Sequence, residues 1–316
     1  MKSWIKYGAI VSAMAFGAFA LSEQIGELPN LIEHVHFGLL GGVLLGLLVY
    51  QIWNASVWSE VLSSIYETGK KRTDCARIWL ESESLKWLPG SVWSYGSRVV
   101  LADEIGVTKK KASSSIILEL IMTNIAWASL ALTTLFTFPV SAWFDKVESY
   151  LNWVIFAILG LLVFGIVVSF AFFKIKKLRA VLSIGPIDFK KCLATIFHYI
   201  VLCVFNGLLF YGVMTAVPNV EVPVVAALSI AGVAWLAGFW AIGIPGGIGV
   251  RETVIVAMVC QFSSLEQAIL VAALWRGCQM LAEVGAISLM VGTGIIKQAK
   301  PKLKEDESSK KEGLSY

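Results

Sequence analysis

Ile244-Pro245-Gly246-Gly247-Ile248-Gly249-Val250-Arg251-Glu252 interrupts an otherwise apolar stretch that runs from about residue 224 to 261. A proline and three glycines in that space stop a helix and leave several backbone N–H and C=O groups without helical partners. At membrane depth such a break is tolerated only where protein buries it or a cavity hydrates it. The helix that restarts near Val250 aims its unpaired N–H groups at the break, and Arg251 adds a full positive charge there. Dipole, N–H groups and guanidinium form an anion cradle. In this reading Arg251 is a direct ligand of a phosphate or other anionic head group, and Glu252 orients it or contacts a cationic or hydroxylated part. The alternative is an interfacial turn, with Arg251 on phospholipid and Glu252 in the first helical turn, where the dipole favours it. Ionisable residues within apolar segments mark functional sites by default, which favours the first reading.

The rest of the chain requires lipid around it. Hydrophobic residues make up 57% of the 316 positions and charged residues 15%, with a mean hydropathy of +0.74. A soluble domain has nearer about one half and one quarter. Apolar runs at 1–21, 37–53, 114–138, 151–173, 192–216, 224–243 and 266–296 approach or exceed the roughly 20 residues that cross a hydrocarbon core. None alternates as a barrel strand does. The expected fold is all-α: a polytopic integral membrane helix bundle of about seven or eight transmembrane helices, with two Pro-Gly-broken or re-entrant segments. One membrane domain would cover 1–296, and the lysine-rich tail 297–316 reads as solvated and cytoplasmic.

Charge sets the expected orientation. The loop 22–35 carries Glu23, Glu27 and Glu33 and no lysine or arginine, whereas 57–112 carries Lys70, Lys71, Arg72, Arg77, Lys86, Arg98 and Lys109 to Lys111. The positive-inside rule then places 57–112 and both termini in the cytoplasm of a cell inner membrane. An even number of crossings follows, so 247–262 or part of 84–106 either crosses as a weaker segment or re-enters. Residues 1–21 have a signal-peptide look, with Lys2, Lys6 and Ala18-Phe19-Ala20. Further spans follow, so an uncleaved first helix is the simpler reading.

Several function classes are excluded. The net charge of +4 falls in a few clusters beside spans, which argues against nucleic acid. Cys75, Cys192, Cys203, Cys260 and Cys278 have no CxxC spacing and read as small buried residues. His34, His36 and His198 form no metal constellation, and His198 reads as a hydrogen-bonded helix residue. No catalytic signature, nucleotide loop or metal motif is present, so no catalytic residue, metal ligand or cofactor is assigned.

A second break lies at Lys86-Trp-Leu-Pro-Gly-Ser-Val-Trp-Ser-Tyr-Gly-Ser-Arg98. Broken helices at corresponding places in two halves point to an internal, inverted repeat with a site between them. The competing reading is an amphipathic interfacial segment anchored by Trp87, Trp93, Tyr95 and Lys86. Three more charges stand inside apolar helices: Glu119, Arg276 and Glu283. Arg276 and Glu283 are two turns apart and share a helix face, beside Trp275, Gln279 and Met280. Against a functional role stands a structural ion pair among Glu119, Arg276 and Arg251.

Gly243-Ile-Pro-Gly-Gly-Ile-Gly-Val-Arg-Glu252 resembles the Pro-Gly-Gly-x-Gly-x-x-Glu signature of the lysylphosphatidylglycerol synthase transmembrane family, also called the flippase-like domain family. Leu88-Pro-Gly-Ser-Val-Trp93 with Arg98 is similar to its upstream motif, and Gly106-Val107, Glu119 and Trp275-Arg276 follow the pattern in order. The resemblance covers about residues 36 to 295. It implies a helical membrane domain with broken helices and a role in moving lipids or lipid-linked sugars between leaflets. It also implies site roles for Pro89, Gly90, Arg98, Glu119, Pro245, Gly246, Gly247, Gly249, Glu252 and Arg276. The soluble aminoacyl transferase that accompanies this domain in the multiple peptide resistance factor has no counterpart in the sequence, so synthase activity is not implied.

The leading expectation is a lipid translocase with an intramembrane polar cavity formed by the two breaks. Its site residues are Arg98, Glu119, Pro245, Gly246, Gly247, Gly249, Arg251, Glu252, Arg276 and Glu283, and its cargo is a phospholipid or a polyprenyl-linked lipid. Movement would be downhill or coupled to an ion gradient. The rivals are a membrane enzyme acting on a lipid-linked sugar, with Glu252 or Glu119 as base, and a non-catalytic partner subunit of an envelope-assembly complex. A homo-oligomer is compatible with each.

Overall fold

A computed structural model describes residues 32–66, 70–86, 93–138, 188–241 and 244–292. The first apolar run, the span at 151–173, the Pro89-Gly90 motif with Trp87 and the tail 297–316 lie outside the described residues. Helices account for nearly all of what is described, and no strand occurs among those residues. The helices are α1 (Phe37–Ile65), α2 (Arg72–Glu83), α3 (Trp93–Leu101), α4 (Lys109–Ala131, with one further turn at Thr134–Thr137), α5 (Phe189–Ala216), α6 (Val224–Trp240), α7 (Val250–Val259) and α8 (Leu265–Gly292). Four of them, α1, α4, α5 and α8, are long and apolar enough to cross a membrane.

The ends of these helices sort into two groups. At one end the His36 N–H donates to Ala216 O at 3.0 Å, Gln267 Nε2 donates to Pro218 O at 2.9 Å, and the Phe138 and Phe262 rings meet edge to face at 5.4 Å. At the other the Asp188 N–H donates to Ser64 O at 2.9 Å, Arg72 pairs with Glu60 at 2.7 Å, and Arg77 reaches Glu104 at 2.9 Å. The second end carries Lys70, Lys71, Lys109 to Lys111, Lys190 and Lys191, whereas the described residues of the first carry no lysine or arginine. The two can be called the basic and the acidic end.

These contacts show which way the chain runs after each break. The start of α6 and the end of α7 lie at the acidic end, tied through Pro218, Gln267 and Phe262. With 17 residues, α6 is about 25 Å long at 1.5 Å per residue. It descends from that end, breaks at 241–249, and α7 returns. Helices α6 and α7 therefore form a hairpin, in which Pro245 and the glycines turn the chain back toward the acidic end. The start of α2 and the segment after α3 both lie at the basic end, joined by Arg77 and Glu104. They form another hairpin, the first in chain order, that enters from the opposite side. Opposed hairpins are the arrangement an inverted repeat produces.

Part of the region 57–112, read from its charges as cytoplasmic, is folded into the bundle. Within it Trp58, Cys75, Ile78 and Arg98 are at most 1% exposed, packed among α1, α2 and α4. Protein, not lipid, covers this polar hairpin. Close helix approach is set by small residues, as is usual where lipid supplies no hydrophobic drive. At Gly232 on α6 a Cβ would lie 2.7 Å from the Ala131 backbone nitrogen of α4. Two caps fix the long helices: Asp188 accepts from the Lys190 and Lys191 N–H groups, and Ser264 with Gln267 forms a reciprocal capping box that starts α8. His198 ties α5 to α1, with its Nε2 taking the Trp53 indole N–H at 2.5 Å and its Nδ1 2.9 Å from Glu60. That matches its reading as a hydrogen-bonded helix residue. The five cysteines are unpaired, and all but Cys260 are buried.

Candidate functional site

The break itself is a turn of 3₁₀ helix at Pro245–Gly247, inside which Gly246 takes φ +59°. Gly247 and Gly249 follow at φ +67° and +85°, a region in which a side chain strains the backbone. Gly247 also touches α6: a Cβ there would stand 2.7 Å from Gly238 Cα and O. Only glycine lets the turn press against that helix. The reversal then delivers Arg251 and Glu252 in the first turn of α7.

Glu252, read from the sequence as orienting its neighbour or contacting the ligand, pairs with Arg276 and not with Arg251. One of its oxygens accepts the Gly249 N–H at 2.6 Å, and the other lies 3.3 Å from Arg276 Nε on α8. Gly249 has no side chain to return the bond of a full capping box, so the carboxylate alone serves this helix start. Arg276 also reaches Gly246 O at 3.4 Å. Both distances are long for charge-assisted bonds, which fall near about 2.8 Å.

Arg251 is placed differently. Its side chain lies across Gly238, where a Cβ would collide with it, and its guanidinium sits over the Trp235 ring at 5.8 Å. Among the described residues no carboxylate pairs with it, and its buried Nε has no hydrogen-bond partner. Leaving such a group unpaired costs free energy unless a ligand or water completes it. Behind it Trp127, Trp235 and Phe239 form a stacked ladder with ring centroids 5.2 and 5.1 Å apart. Arg251, Glu252 and Arg276 line a narrow, partly open cleft, walled by Trp127, Trp235 and Trp275 and by the amides of Asn206 and Gln279.

Arg98, Glu119 and Glu283 do not line this cleft. Arg98, 1% exposed, donates to Glu119 at 2.5 Å, to Ser82 Oγ at 3.0 Å and to Glu83 at 3.2 Å. Trp79 Nε1 donates to the other Glu119 oxygen at 2.7 Å, and the guanidinium lies 5.1 Å from the Trp79 ring. Lys86, at the tip of the first hairpin, carries the network on to Glu283 at 2.7 Å. The ion pair considered among Glu119, Arg276 and Arg251 is thus not formed: Glu119 belongs to Arg98. Arg276 and Glu283 share α8 as their spacing requires, but each is held by a different hairpin.

Several residues that build the two clusters were not singled out in the sequence. Trp127, Trp235, Asn206 and Gly238 stand in apolar runs where nothing in the local pattern separates a cleft wall from a lipid face. Trp79, Ser82 and Glu83 lie on α2, which reads as a polar cytoplasmic segment.

Opposed helical hairpins, with four helices long and apolar enough to cross a membrane, define a polytopic helical membrane protein. The family model described as the lysylphosphatidylglycerol synthase TM region matches residues 5–284, and the chain belongs to that family. No match is found among curated proteins.

Proposed function

We propose that the protein moves a lipid between leaflets by taking its anionic head group into the cleft at the α6–α7 break, while the acyl or prenyl chains stay in the bilayer. The observation that carries this reading is Arg251: a cation in the cleft wall whose buried Nε has no partner among the described residues, beside a second arginine and a helix start. Family membership supports a lipid-related role in the membrane. The basic end faces the cytoplasm of the inner membrane in this reading, in keeping with its lysines. The cargo is a phospholipid or a polyprenyl-linked lipid.

The test is translocation of a fluorescent anionic lipid in liposomes that hold the full chain. Arg251→Ala removes one charge-assisted interaction of about 1.5–3 kcal/mol, so the rate should fall roughly tenfold or more. A Lys190→Gln change at the basic end is the control. A rate that Arg251→Ala leaves unchanged takes the cleft out of the mechanism.

A further inference from the structure

We infer that Glu252 makes the cleft selective for a single negative charge, so that it takes phosphodiesters and rejects phosphomonoesters and diphosphates. The inference rests on the reading above that the cleft receives a lipid's anionic group.

The charges of the lining can be counted. Among the described residues that wall the cleft, the ionised side chains are two guanidiniums, Arg251 and Arg276, and one carboxylate, Glu252, which leaves one positive charge in excess. Arginine keeps its charge in any protein setting. The nearest charge farther along α8, Glu283, is paired with Lys86 at 2.7 Å. One phosphodiester charge therefore brings the cleft to neutrality. A second negative charge would overshoot and would stand beside the Glu252 carboxylate in a setting that screens poorly.

Geometry keeps Glu252 in place. Its carboxylate is held by the Gly249 N–H at 2.6 Å and by Arg276 at 3.3 Å. It occupies the helix-start donor that a second phosphate oxygen would otherwise use. What remains to meet a ligand is the Arg251 guanidinium, which no carboxylate among the described residues pairs with, beside the amides of Asn206 and Gln279. Glu252 is thus an internal counter-anion that consumes one of the two cationic charges.

The experiment is calorimetric titration of the full chain in detergent with three short-chain lipids at pH 8. These are dihexanoyl phosphatidylglycerol, a monoanionic phosphodiester; dihexanoyl phosphatidic acid, a phosphomonoester near two charges; and dihexanoylglycerol, uncharged. The unsubstituted protein should bind the phosphodiester about tenfold tighter than the phosphomonoester, a difference of one neutralised charge at short range. Glu252→Gln keeps an acceptor for the Gly249 N–H but adds one unit of net charge, and should erase or invert the preference. Arg251→Gln should lose both anions.

A protein that favours phosphatidic acid, or a preference that Glu252→Gln leaves intact, overturns the selectivity. Anions that bind no better than dihexanoylglycerol, or that bind equally after Arg251→Gln, overturn the cleft reading and the selectivity with it. A measurement without substitutions guards against a variant that fails to fold. Phosphatidic acid loses its second charge below a pKa of roughly 6, so discrimination against it should shrink between pH 8 and pH 5.5. Discrimination that stays constant over that range also overturns the selectivity.

Discussion

Replacing Glu119 with alanine is expected to destabilise the protein by about 3–5 kcal/mol, the usual cost of removing one partner from a buried ion pair. The carboxylate accepts from Arg98 on one oxygen and from Trp79 on the other. Without it the Arg98 guanidinium keeps Ser82 and Glu83 but loses its shortest contact, and the buried Trp79 N–H loses its acceptor. These groups join α2, α3 and α4, so the whole first hairpin should loosen. Reversible unfolding in mixed micelles, followed by tryptophan fluorescence, would measure the loss. A double change of Arg98 and Glu119 to leucine removes both charges together. It should cost much less than Glu119→Ala, because an apolar pair avoids the desolvation that an orphaned charge must bear. If the double variant is as unstable as the single one, the cluster is held by packing and not by charge balance.

Whether the first hairpin matters for lipid movement is a separate question, and α8 supplies the physical link. Glu283 anchors that helix to the tip of the first hairpin through Lys86, and Arg276, two turns away, anchors it to the second. Loosening one hairpin frees the helix that carries part of the cleft. Glu119→Ala should therefore reduce translocation further than its distance from the cleft would predict.

The sequence made the membrane bundle and the break at 244–252 legible because both are local properties. A run of apolar residues reports its solvent, and Pro-Gly-Gly reports a backbone that cannot stay helical. The direction of the chain after the break was not local. Whether 224–261 crosses or returns depends on Gln267 finding Pro218 O and on Phe262 meeting Phe138, contacts between residues 49 and 124 positions apart. Charge pairing failed to show for the same reason. Glu119 has two arginines within apolar helices to choose from by composition, and the one it takes, Arg98, lies on a hairpin whose charges read as cytoplasmic. The positive-inside rule counts charges along the chain and takes no account of a polar segment folded back and covered by protein. The seat of Arg251 was hidden as well: Gly238 looks like any small residue on a membrane helix until the structure shows what lies across it.

Gly238 and Gly247 should respond differently to the same added methyl group. At Gly247 the new Cβ would stand 2.7 Å from Gly238 Cα and O and 3.0 Å from its carbonyl carbon, all backbone atoms of α6 that no rotamer change can move. Carbon contacts need about 3.5–4.0 Å, so the turn and α6 must part. The positive φ of +67° adds its own strain. Together these should cost Gly247→Ala about 2–5 kcal/mol. At Gly238 the new Cβ would meet the Cγ, Cδ and Nε of Arg251, which can swing aside. Alanine also improves a helix interior by about 1 kcal/mol over glycine. Gly238→Ala should therefore keep its stability while Arg251 leaves the Trp235 face, so that anion binding falls about as far as in Arg251→Ala. Thermal unfolding beside lipid titration separates the two effects. If Gly238→Ala binds anions normally, the position of Arg251 over α6 is incidental to the site, and the bare Nε would have to be reached by ligand in another conformation of that side chain.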